Sequence, residues 1–274
     1  MMNNVLKLAS VLFSFFLFVG CQSDDTEDQQ DQTTAVEEVK QMAVIDDSDS
    51  VLNDLVFQSF TEEENLNKSS NRSFLPQCAS ILVELNANQK QVILDFGVDG
   101  CTINDRYVFK GKIVMNYTVE PDFTSVIIDY DLQNFSINDI SFTGKRTATW
   151  VLKNQNGNPE LTVMVDGAVI INDAEIKRKG LYVREWIEGV FNGNWGDNVY
   201  LITGNWETIF PNGNIHSSEV KVALRRELSC RYFVSGQIEL IRSTYQGVLD
   251  YGDGTCDNAA TFTTTQGAVV EITL

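Results

Sequence analysis

From residue 72 onward the chain repeats a two-residue alternation of apolar and polar side chains, broken at short intervals by turn formers. Few folds other than an antiparallel sheet can accept that pattern. Leu161, Val163 and Val165 alternate with their neighbours, as do Val220, Val222 and Leu224, and Val270, Ile272 and Leu274. A period of two puts such residues on one face of a half-buried strand. More continuous apolar runs at 113–115, 126–128 and 147–152 read as further strands. Pro76, Pro121, Pro159 and Pro211 all fall between runs. The clusters Asn156-Gly157-Asn158-Pro159 and Pro211-Asn212-Gly213-Asn214 carry the Asn-Gly step that favours tight hairpins. The pattern predicts an all-β antiparallel meander of about 10–12 strands over 72–274. Isolated glycines at Gly111, Gly144, Gly167, Gly204 and Gly236 mark bends or close approaches. Repeated along a meander, such bends curl a sheet into a barrel, half-barrel or sandwich, which the sequence leaves open.

The two ends of this domain echo one another. Glu84-Leu85 stands eleven residues before Asp95-Phe96-Gly97, and Glu239-Leu240 stands eleven before Asp250-Tyr251-Gly252. Cys78 and Cys101 bracket the first copy, and Cys230 and Cys256 bracket the second. Each pair can face across its own hairpin at the short Cα separation a disulfide requires, so the expected bonds are Cys78–Cys101 and Cys230–Cys256. Bonds between the two hairpins are the alternative. The same symmetric register sets Glu84 opposite Asp95. Like charges so placed destabilise a sheet unless they serve acid–base chemistry or a cation, or unless a bulge separates them into solvent.

Other candidate sites are sparse. The stretch from Asp250 to Asn258 offers oxygen ligands but lacks the spacing of an EF-hand loop and its terminal Glu, and reads first as a glycine-rich turn closed by a disulfide. His216 is the only histidine and falls in a polar stretch, which leaves little for a zinc site or a serine triad. No phosphate-binding glycine loop occurs, and no catalytic residue, metal site or cofactor is expected. Trp186, Trp195 and Trp206 crowd one stretch with Phe191 and Tyr200, among Asn192, Asn194, Asp197 and Asn198. Exposed, the indoles form a candidate glycan site; buried, they are core.

The N-terminal part is different in kind. Lys7 precedes an apolar run from Leu8 to Gly20 broken only by Ser10 and Ser14. This is short of the roughly 20 residues that span a bilayer and fits the apolar region of an export signal over 1–20. Its end, Phe18-Val19-Gly20-Cys21, resembles the lipobox of bacterial lipoproteins, with Phe18 where that pattern prefers Leu. The resemblance implies cleavage before Cys21 and acylation of that residue, palmitate included, whereas an ordinary secretory signal would leave the cysteine incidental. Several acyl chains on one residue anchor a protein stably. Ser23-Asp24-Asp25 resembles the surface-export signal of Bacteroidota lipoproteins, and Asp49-Ser50-Val51 resembles their O-glycosylation triplet.

Residues 22–71 hold fourteen acidic side chains against Lys40 and Lys68, twelve of the eighteen net negative charges. Self-repulsion predicts a disordered acidic tether over 21–71, extended at least in its first half. Val51, Leu52, Leu55, Val56 and Phe60 recur at helical spacing and predict a short helix near 51–60. The domain beyond is only mildly acidic and has no basic cluster, which argues against nucleic acid as a partner.

Taken together, the lipobox, the Asp-aromatic-Gly-x-x-x-Cys turn from Asp250 to Cys256 and the apolar final strand resemble Bacteroidota (Flavobacteriia-like) surface lipoproteins with an all-β domain. The resemblance implies an outer-membrane location, on the cell surface in the sense of that export signal or otherwise on the periplasmic face, and no activity. The leading expectation is a non-catalytic binding or structural module at the envelope, with a glycan or protein partner. A carrier of lipid or another apolar ligand in a curled sheet and a carboxylate-dependent hydrolase are the alternatives. An unfilled apolar interior favours the carrier, and acids converging in a cleft favour the hydrolase.

Overall fold

The computed structural model describes residues 24–64, 75–103, 106–118, 124–243 and 245–274, with side chains from Thr33 onward. The export signal, Cys21 and Ser23 therefore lie outside the described residues. The chain begins with helix α1 (Asp24–Glu63). A hairpin of β1 (Ser80–Asn86) and β2 (Gln89–Asp95) follows, then short β3 (Cys101–Ile103) and β4 (Tyr107–Thr118). The centre of the meander comprises β5 (Ser125–Ile137), β6 (Ile140–Val151), β7 (Glu160–Ile171), β8 (Ala174–Glu188) and β9 (Val199–Ile209). It ends with β10 (Ile215–Glu227), β11 (Ser235–Arg242), β12 (Tyr245–Asp253), β13 (Ala259–Thr264) and β14 (Val269–Thr273).

All fourteen strands belong to one antiparallel sheet in which each pairs with its sequence neighbours, β3 alone lying off the main path against β4. β1 and β14 do not pair, so the sheet curls without closing. Both Asn-Gly clusters are hairpin connections, joining β6 to β7 and β9 to β10. The alternation from Val220 to Leu224 is interrupted by register shifts in β10, which leave Val222 exposed while Leu224 is buried.

The glycines do what their spacing suggested. Gly144 and Gly167 face each other across β6 and β7, where a Cβ on Gly144 would stand 2.4 Å from the Cα of Gly167. Gly111, at φ +77°, sits at a register shift between β4 and β5. Close approach and bulging at such points bend the strands and let the sheet wrap.

What it wraps is α1. The acidic segment expected to be a mobile tether is, over the described residues 24–63, one continuous helix. It contains no Gly or Pro, and Asp24 and Asp25 sit in its first turn, where the helix dipole favours negative charge. The short helix expected near 51–60 is the inner part of this longer one. Every residue from Ile45 to Thr61 is buried, whatever side of the helix it occupies. Phe57 packs edge-on against Trp150 of β6, Trp186 of β8 and Tyr200 of β9, and Phe60 against Tyr117 of β4. A helix buried all round is a core element. The hydroxyls of Ser48, Ser59 and Thr61 are satisfied by carbonyls one turn back. Asp49, Ser50 and Val51, read as a glycosylation triplet, lie in this buried stretch.

Candidate functional site

The repulsion that predicted a tether is cancelled by arginines. Inward-facing positions on the strands carry Arg146 of β6, Arg178 and Arg184 of β8 and Arg226 of β10, all buried. Arg178 Nη2 donates to Asp46 Oδ1 at 2.5 Å, and Arg146 Nη2 donates to Asp49 Oδ1 at 2.7 Å. Asp54 accepts from Arg184 through one carboxylate oxygen and, at 3.2 Å, from Arg226 through the other. Arg226 also stands 3.5 Å from Asp47. Arg184 stacks 4.3 Å over the Tyr200 ring, which helps a guanidinium out of water.

Glu38 and the last turn fix the two ends. Glu38 accepts from Asn212 and Asn214 of the β9–β10 turn at 2.8 and 2.7 Å and from His216 Nε2 at 2.6 Å. Lys90 of β2 reaches Glu63 at 2.9 Å and Glu64 at 2.8 Å, and Tyr117 donates to Glu64. His216, expected in a polar stretch and thus in a loop, is a buried residue of β10. Burial holds its pKa below the usual value despite Glu38, so at neutral pH it serves as a neutral donor. Burial raises Glu38, but its hydrogen bonds outweigh that and hold its pKa below the ordinary value. Burial pushes Asp46 and Asp47 the other way, to about 6, against the pull of Arg178 and Arg226 respectively.

Buried ion pairs add little net stability over apolar contacts, because desolvation consumes the Coulomb gain, but breaking one is costly. Their effect here is to fix how far α1 is threaded and how it is rotated. Around these pairs the described residues are closely packed. A cavity lined by Asp46, Ser50, Asn53, Tyr182 and Arg184 measures about 10 Å³, enough for one water at most. The acids that converge do so in ion pairs inside the sheet and not in a cleft.

The indoles do not make an open platform. Trp186 and Trp206 are buried, and Trp206 stacks on Tyr182 at 4.5 Å. Trp195, on a short 3₁₀ turn (Trp195–Asp197), is half-buried and stacks on Trp186 at 6.2 Å. Asn192 and Asn194 donate to Asp197. Of the candidate glycan site, inward strand positions carry Trp186 and Trp206 into the core, and Trp195 alone stays partly open to solvent.

Glu84 does not face Asp95 either. The β1–β2 register pairs Glu84 with Gln91 and Ser80 with Asp95, because the two-residue turn at Ala87-Asn88 sets the hairpin's centre earlier than a symmetric bracket implies. Asp95 instead bonds Lys112 at 2.9 Å. The carboxylates of Asp250, Asp253 and Asp257 accept from Gly252, Thr255 and Ala259 within their own turn. Among the described residues no group of three or more His, Cys, Asp or Glu is placed to hold a metal ion.

The disulfides form as expected, Cys78–Cys101 and Cys230–Cys256, with Cα separations of 5.5 and 5.4 Å. The echo they bracket is a structural repeat. Asp95 Oδ1 accepts from Gly97 N at 2.9 Å, and Asp250 Oδ1 from Gly252 N at 2.9 Å. Phe96 and Tyr251, the aromatics between, are both buried.

No family model, curated protein or solved structure matches this chain.

Proposed function

We propose that the chain is a bacterial lipoprotein, anchored to the outer membrane and displayed at the surface through acyl chains on Cys21, whose helix-filled sheet is a non-catalytic binding or structural module. The observation that carries the module reading is the occupied interior. Residues 45–61, all buried, lie against the inner face of the sheet, and the cavity beside Asp46 and Arg184 holds only about 10 Å³ where a carrier needs room for an acyl chain. The hydrolase reading finds its converging carboxylates held by arginines in the core. With two of the three indoles packed inside, a protein partner fits better than a glycan. The anchor reading rests on the lipobox and the length of the apolar run before it.

Metabolic labelling with a fatty-acid probe tests the anchor: the wild-type chain is expected to carry label and Cys21→Ser to lose it. Label retained by Cys21→Ser overturns acylation at that residue. Protease added to intact cells tests display. Digestion only after the outer membrane is permeabilised rules out a surface location.

A further inference from the structure

The strand at the β1 edge is built like an interior strand. β1 is hydrogen-bonded to β2 alone, and among the described residues nothing pairs with its other side. All seven of its residues are exposed, including Ile81 (36%), Leu82 (53%), Val83 (38%) and Leu85 (67%). Natural edge strands are guarded by lysines, prolines, bulges or shortness. β1 has no Lys or Pro, a single charge at Glu84 and an unbroken seven-pair register with β2.

The internal repeat shows what is missing. Counting from the shared Glu-Leu, Val83 and Leu85 correspond to Ile238 and Leu240 of β11, which are 0% and 1% exposed. β11 differs in having a strand on each side, β10 and β12. In the first copy the place of β10 is empty of any described strand.

We infer that β1 is the seam of a two-fold dimer, in which β1 pairs antiparallel with β1 of a second copy, centred on Val83. This goes beyond the binding-module reading and does not depend on acylation of Cys21. Backbone geometry favours that centre. In a two-residue hairpin the closing pair, Asn86 and Gln89, exchanges both hydrogen bonds, and pairs alternate from there. Ile81, Val83 and Leu85 then point their N–H and C=O groups outward, and a register centred on Val83 joins those three to their counterparts. Side chains agree. Ile81 and Val83 lie opposite Leu94 and Val92 on the inner face, and Leu85, opposite Lys90, shares that face, so apolar meets apolar across the seam. Glu84 falls opposite Leu82 of the other copy, which keeps the two Glu84 carboxylates apart. A two-fold seam closes on itself, whereas pairing β1 with β14 of the next copy propagates into a filament.

Sedimentation of the full-length chain in a mild detergent, with the micelle density-matched, tests the seam. The wild type is expected to be a dimer. Val83→Lys sets two ammonium groups against each other and is expected to raise the dimer dissociation constant at least about tenfold without lowering the monomer's melting temperature. A second measurement is covalent: under mild oxidation, Val83→Cys is expected to give a disulfide-linked dimer and Val269→Cys, on β14, none. A monomeric wild type overturns the inference, as does a Val83→Lys variant that still dimerises. Species that keep growing with concentration, and that crosslink only when Val83→Cys and Val269→Cys are combined in one chain, overturn it in favour of head-to-tail pairing.

Discussion

The hairpins β1–β2 and β11–β12 carry one motif in two settings. Each has the Glu-Leu pair, the Asp-aromatic-Gly turn, a buried ring and a closing disulfide. Yet Leu240 is sealed beneath the sheet and Leu85 is among the most exposed aliphatic side chains. The motif therefore does not decide burial. Position in the sheet does: β11 has neighbours on both sides, and β1 lies at the free edge. The same local chemistry acts as core in one place and as surface in the other.

The largest effect expected lies where the helix is bound into the sheet. Asp54→Ala strands the guanidiniums of Arg184 and Arg226, both buried, without their shared carboxylate. Loss of one partner of a buried pair costs about 3–5 kcal/mol. Urea unfolding followed by tryptophan fluorescence measures it directly. A loss under 1 kcal/mol would mean that α1 is not held in the sheet as described. Next comes Leu240→Ala in the covered hairpin, expected to cost about 3 kcal/mol through lost transfer energy and an unfilled cavity, with the same unfolding assay as readout.

The ion pairs also set a pH dependence. Asp46 and Asp47 titrate near 6 when folded, above the ordinary value of 3.8. Between about pH 4 and 6 the folded chain therefore holds protons that the unfolded chain has released, and the contribution of these groups to stability declines as pH rises through that window. Glu38 has the opposite sign, since its lowered pKa contributes stability that is lost as pH falls. Asp46→Asn removes one of the raised groups. The stability of the wild type relative to this variant is expected to fall by roughly 2 kcal/mol from pH 4 to pH 6 and to change little above. A relative stability that rises with pH across the window contradicts the assignment.

The sheet was legible in the sequence because its signals are local. Period-two alternation, Asn-Gly turns and strand glycines specify an antiparallel meander without knowledge of distant residues, and the cysteine brackets matched the two disulfides. The helix was not, because its reason for order is tertiary. Read alone, residues 24–63 are acidic and only partly amphipathic. The missing signal sits far away, in arginines at inward positions: Arg146 in line with Phe142, Ala148 and Trp150, and Arg178 and Arg184 in line with Ile176, Tyr182 and Trp186. A cation on an apolar face calls for a buried anion, and the acidic segment is where the chain concentrates them. The tryptophans were ambiguous for a related reason, since parity places Trp186 and Trp206 inward only once the strand register is known.

Leu85→Ala sharpens the comparison at its small end. It makes the same substitution as Leu240→Ala in the other copy of the motif, but on a side chain already two-thirds in water. Substitutions at such sites fall within about 0.5 kcal/mol, so the unfolding free energy of the monomer, measured at high dilution, is expected to stay within that range. At high concentration the dimer adds its own term, because a ligand that binds only the folded state stabilises it by mass action, and here the ligand is a second copy. Wild-type stability should therefore rise with protein concentration, and Leu85→Ala should weaken that rise, since Leu85 meets Ile81 across the seam. A large loss at high dilution would instead place Leu85 in the monomer's core, and the contrast between the two hairpins would disappear.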